Sequence, residues 1–244
     1  MLETFGKISV TLFVAVVLTQ PAFAGFDLGG MIDAGKDLTT AATLSDGDVK
    51  QLASEAAAVS DTSNKVAPPS SPYAKRLAKL TKGIKTEKGL KLNIKVYLVQ
   101  EVNAFAMADG TIRVFAGLMD AMNDDEVRYV IGHVSLGHSK KALQTAYMTS
   151  AARKAGSASG SGIAKLSDSA LGELAEKLIH AQYSQSNEND ADQYALKFMK
   201  DNKYDPRASV SALRKLEKMY GNESSVFSSH PASGDRADAL EKAL

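Results

Sequence analysis

Strand patterning is confined to one short window of this 244-residue chain, and that restricts the fold more than any other feature of the sequence. "NIKVYLVQ" alternates Ile94, Val96 and Leu98 with polar neighbours. "VNAFAM" and "TIRVFAG" follow, joined by Asp109-Gly110, a pair suited to a tight hairpin turn. A sheet of about three strands is expected there. Everything after Gly117 reads as helix, so the expected class is α+β, predominantly helical with a small three-stranded sheet.

Punctuation marks out the helices. "LSDGDVKQLASEAAAV" opens with Ser45 three residues before Asp48, a capping pattern, and continues as an Ala-rich helix. "KVAPPSSP" is a break. Pro72 suits the first turn of the next helix, whose apolar stripe is Leu77, Leu80 and Ile84. Asn123, followed by Asp124, Asp125 and Glu126, caps a helix that carries His133 and His138 and runs to about Lys154. Gly156 to Gly162 is a flexible loop by composition. Helices are then expected from about Ser167 to Tyr183, through "NENDADQYALKFMKD", after Asp205-Pro206, and in "HPASGDRADALEKAL".

The first 24 residues stand apart. Lys7 precedes the apolar run Ile8 to Leu18, and Ala22 and Ala24 form a small-x-small pattern. The layout predicts a secretory signal cut after Ala24, a flexible leader over 25–43 and a single domain over 44–244. Cysteine is absent, which excludes disulfides and a lipid-modified N-terminal cysteine. After signal cleavage no integral membrane span is expected, and the predicted location is periplasmic. Lys+Arg 29 against Asp+Glu 28 leaves a net charge of +1, which gives no electrostatic reason to expect nucleic acid as a partner.

The candidate chemistry begins at "VIGHVSLGHSKK", Val130 to Lys141. Residues four apart on a helix diverge by about 40°, whereas residues five apart diverge by about 140°. His133 and His138 therefore share one metal only if a π-bulge realigns them. Gly137, four after His133, has no ligand atom. Val134 stands where an H-E-x-x-H helix carries its general-base glutamate. Taken alone, the stretch reads as two ordinary histidines. A second stretch, "SQSNENDADQYA", puts Glu188 four residues before Asp192 on one helical face. That pair suits a metal ligand with a neighbouring acceptor for a ligand histidine's free N–H, or else a solvated acidic face.

Together, "VNAFAMADGTIRVFAGLMDAMNDDEVRYVIGH", "LGHSKK", "SQSNENDADQYA" and "HPASGDR" resemble the HtpX/CAAX-prenyl-protease family of zinc metallopeptidases, a gluzincin type. The likeness is greatest to its small secreted bacterial members of the LoiP-like kind. The family helix reads V-I-G-H-E-x-G-H before a segment like "VSLGHSKK"; here "VIGH" runs directly into that segment. Four residues, holding the glutamate and one ligand histidine, are missing. The resemblance implies a zinc cofactor with His133 and Glu188 as ligands and Asp192 steadying a ligand histidine. His138 matches a later, non-ligand histidine and becomes a substitute ligand only through the π-bulge. His230 and Arg236 match residues that the family places near the substrate carbonyl, and Asn103 and Ala104 match its peptide-binding strand.

Losing four residues turns the rest of a helix by only about 40° and draws it in by about 6 Å, so the fold is expected to survive. The chemistry is less tolerant. Zinc hydrolases use three protein ligands and one open position, so weak or absent zinc binding is expected. Two functions follow: a zinc-dependent metalloendopeptidase-like protein of the cell envelope acting on extended or misfolded polypeptides, and a catalytically inactive protein that binds peptide along an edge strand. His180 is given no role.

Overall fold

The computed structural model describes residues 46–84, 91–137, 168–179, 185–221 and 233–244. The expected signal and leader and the stretch 156–162 lie outside these, as do His138, His180 and His230. Among the described residues no helix is long and apolar enough to cross a membrane.

The sheet forms where the alternation places it. Strands β1 (Asn93–Tyr97), β2 (Ala104–Ala106) and β3 (Thr111–Phe115) lie in the order β1-β3-β2. β3 pairs parallel with β1 and antiparallel with β2. Gly110 has φ +92°, a left-handed value that glycine adopts freely, and it closes the β2–β3 hairpin. The chain before β1 adds a short pairing on that side of the sheet. Ala67 N–H donates to Val96 O and Leu98 N–H donates to Lys65 O, each at 2.8 Å. β2 is thus the open edge among the described residues.

Strand residues alternate between two cores. Val96, Ala104, Ile112 and Val114 join one apolar cluster, while Tyr97, Phe105 and Phe115 join another. The second is roofed by helices α1 (Asp46–Ser63) and, much later in the chain, α5 (Asp168–Ile179), through Leu52, Ala53, Ala56, Leu171 and Leu174. α1 is also pinned by charge. Asp61 accepts from Arg113 Nε at 2.7 Å, Lys95 Nζ at 2.7 Å and the Tyr97 hydroxyl at 2.8 Å. Arg113 is thereby fully buried within β3.

The other face carries the remaining helices: α2 (Pro72–Thr81), α3 (Ala116–Ala121), α4 (Asp124–Gly137), α6 (Gln185–Asp201), α7 (Arg207–Tyr220) and α8 (Ser233–Ala243). α2 starts as expected, with Pro72 in its first turn and the Ser71 side chain capping Ala74 N–H. Its Arg76 donates to the backbone carbonyls of Met119 and Met122 at the end of α3 and pairs with Asp124 at 2.8 Å. α4 begins with a reciprocal cap: Asn123 Oδ1 accepts from Glu126 N–H at 2.9 Å, and Glu126 Oε2 accepts from Asn123 N–H at 2.8 Å. Glu126 also receives Lys215 and Ser211 from α7, which ties the start of α4 to a second helix.

α4 and α6 form the most extensive helix pairing. Small residues make it close. Ala191 and Ala195 are fully buried, and a Cβ placed on Gly132 would meet the Phe198 ring at 2.6 Å. This approach brings the next residue, His133, onto the acidic face of α6.

Candidate metal and carboxylate centre

His133 sits on the buried face of α4 with 5% of its surface exposed. Its two ring nitrogens meet the two carboxylates of α6 separately. Nε2 lies 3.4 Å from Glu188 Oε2, and Nδ1 lies 2.9 Å from Asp192 Oδ1, off the ideal hydrogen-bond line. One imidazole therefore bridges both members of the i, i+4 pair. Glu188 and Asp192 are themselves buried, which sets aside the solvated acidic face that their spacing alone allowed.

Two further residues complete the cluster. Arg236, from α8, donates to Asp192 through Nε and Nη2, both at 2.7 Å. Its Nη1 forms an ion pair with Glu188 Oε2 at 2.6 Å. Tyr129 donates its hydroxyl to Asp192 Oδ1 at 2.6 Å. Nothing in the sequence reading singled out Tyr129. The signal was present, since it precedes His133 by four residues and so shares its helical face.

The electrostatics follow from burial against pairing. Burial alone would push the Asp192 carboxyl up; hydrogen bonds from Arg236 and the close approach of His133 outweigh it and hold the group well below the usual carboxylate range. Burial pulls His133 down, but contact with Asp192 and Glu188 more than reverses this and leaves it raised. Burial drives the Tyr129 hydroxyl well above its ordinary value, with the charge of Asp192 adding to it.

Arg236, the residue expected near a substrate carbonyl, is held on α8. It is 2% exposed, and its guanidinium is turned onto the two carboxylates. The physical reason is the cost of leaving two buried carboxylates without a cation. Asn103 and Ala104 lie apart from this cluster in sequence, at the start of β2. Asn103 Oδ1 accepts from Ala104 N–H at 2.8 Å, and its Nδ2 donates to Glu101 at 3.0 Å.

Zinc ligands about 2.0–2.2 Å from a tetrahedral ion stand roughly 3.3–3.5 Å apart. The 3.4 Å between His133 Nε2 and Glu188 Oε2 suits two corners of such a site. A zinc site is not completed, however. Among the described residues no group of three His, Cys, Asp or Glu side chains is placed to hold a metal, and the Glu188 oxygen is already in contact with Arg236. Val134 offers no carboxylate beside His133.

A small three-stranded sheet, a histidine helix packed against it, and a second helix bringing a glutamate to that histidine define a metallopeptidase scaffold. The chain belongs to peptidase family M48, whose model matches residues 73–244. It is 42% identical over 237 residues to the metalloprotease LoiP of Escherichia coli (strain K12), covering 95% of this chain and 93% of that protein. It is 41% identical over 222 residues to the metalloprotease YcaL of the same organism, covering 88% and 87%. The family expected from the four motifs is therefore shown, and with it membership of a zinc metallopeptidase family.

Proposed function

We propose that this protein is a metalloendopeptidase-like protein of the cell envelope that engages extended or misfolded polypeptides, and that it holds zinc weakly or not at all. The observation that carries this reading is the donor set: His133 and Glu188 stand at the spacing of two zinc ligands, with Val134 in place of a general base. A general base contributes about 10²- to 10⁴-fold in rate, so its loss alone reduces hydrolysis severely. The envelope location rests on the signal-like run Ile8 to Leu18 and the absence of cysteine.

A second reading, a catalytically inactive peptide-binding protein, is favoured by β2. Phe115 N–H donates to Asn103 O and Met107 N–H donates to Thr111 O, which puts Phe105 in the hydrogen-bonded set with Arg113. Ala104 and Ala106 then direct their backbone groups outward. The Asn103 side chain takes up the Ala104 N–H, which leaves the Ala104 carbonyl and both groups of Ala106 facing the open edge. An extended peptide adding to that edge would use them.

Both readings expect labelled, unfolded casein to bind the mature chain in excess chelator. Ala106→Pro, which removes an outward N–H, should weaken that binding several-fold. Chelator-sensitive cleavage of the casein would favour a working peptidase over either reading. Unchanged binding by Ala106→Pro would rule out edge pairing.

A further inference from the structure

Glu188 and Asp192 are almost wholly withdrawn from solvent, one turn apart on α6. Carboxylates in that position stay ionised only with a cation in contact. In a complete family site a divalent metal supplies part of that charge. Here the contact is made by a side chain from the far end of the chain. All three guanidinium nitrogens of Arg236 face these two carboxylates: Nε and Nη2 donate to Asp192 at 2.7 Å each, and Nη1 makes an ion pair with Glu188 at 2.6 Å, off the hydrogen-bond line. Arg236 is itself buried on α8.

We propose that Arg236 is the resident counter-cation of this centre, and that its guanidinium, rather than a metal ion, holds Glu188 and Asp192 charged with His133 between them. The planar fork of arginine suits the task, because it meets Asp192 through two parallel donors and still reaches a second carboxylate. Asp192 accepts from Tyr129 as well, and its oxygens are drawn toward α4 and α8 together. A divalent cation approaching Glu188 Oε2 would share that oxygen with Arg236 Nη1, charge against charge. The same guanidinium that stabilises the two carboxylates therefore opposes metal binding. Arg236 acts here as a positioning residue, through the carboxylates. The inference rests on the reading that zinc is held weakly, and one set of measurements separates the two.

The test is thermal denaturation of the mature chain with EDTA and with added zinc, alongside zinc content per chain. The wild-type midpoint should move by less than about 2 °C on chelation, and Arg236→Met should lower it by roughly 10 °C. Arg236→Lys, which keeps the charge and loses the fork, should fall by less. Adding Asp192→Asn to Arg236→Met should recover part of the loss, because it removes the stranded charge. Zinc should raise the midpoint of Arg236→Met more than that of the wild type, a response that a purely packing role would not produce. The proposal is overturned if chelation lowers the wild-type midpoint as far as Arg236→Met does, or if Asp192→Asn recovers nothing. Should Arg236→Met fail to fold, the wild-type chelation arm and the double variant still decide. A retained zinc with a chelation-insensitive midpoint would sink the weak-zinc reading while leaving Arg236 as the counter-cation.

Discussion

Asp61 is where a single carboxylate ties α1 to the sheet. Burial would raise its carboxyl, but hydrogen bonds from Arg113, Lys95 and Tyr97 lower it from 3.8 to about 2. A carboxyl depressed in the folded state stabilises the fold fully above its unfolded value and loses that contribution as pH falls through the folded one. Asp61→Asn should therefore destabilise the protein at neutral pH. The gap to wild type should close between 3.8 and about 2, which urea titrations across that range would follow. The Arg113 partner was not legible in the sequence. Nothing within "TIRVF" names a partner for the arginine. Only the fold brings Asp61 to it from 52 residues away. The same holds for Arg236, whose helix supplies no local hint that its head group ends on α6.

At the scale of elements, the α4–α6 pairing decides where the histidine goes. Gly132→Ala would drive a Cβ into the Phe198 ring and should cost about 1–3 kcal/mol, measurable as a lower urea midpoint. It should also move His133 away from Glu188, its neighbour across that seam. The helices were legible because their signals are local. Pro72 and the Asn123–Glu126 box each act within one turn, and the structure places both where expected. The four residues that α4 is expected to lack, by resemblance to the family helix, can be tested by restoring them. Insertion of Glu-Ala-Gly-His between His133 and Val134 adds about 400° and about 6 Å of helix, so the apolar face returns nearly to register. That variant should fold, take up one zinc per chain and cleave casein in a chelator-sensitive manner. A folded insertion variant that gains neither property would show that the missing turn is not what separates this chain from a working peptidase.

For the whole molecule, the sheet separates two jobs. One face, with α1 and α5, is an aromatic and aliphatic core around Tyr97, Phe105 and Phe115. The other face carries α4 and, packed on it, the charged centre. α1 lies before the segment matched by the family model, yet it packs on β3 and shares the aromatic cluster with Phe105 of β2, which α5 contacts. The open edge of β2 is thus backed by packed side chains, a rigid support for any peptide that pairs with it. Overall class, helix order and the hairpin could be read from periodicity and turn residues. What could not be read was which cation meets the two buried carboxylates, since that depends on which helices meet.

On the proposed reading, too few ligands meet at Glu188 for zinc to stay. Elemental analysis of the purified, dialysed mature chain measures this directly. The expected content is less than about 0.1 zinc per chain, in keeping with a two-ligand site. One zinc per chain, retained through dialysis and removed only by a strong chelator together with casein cleavage, would contradict it.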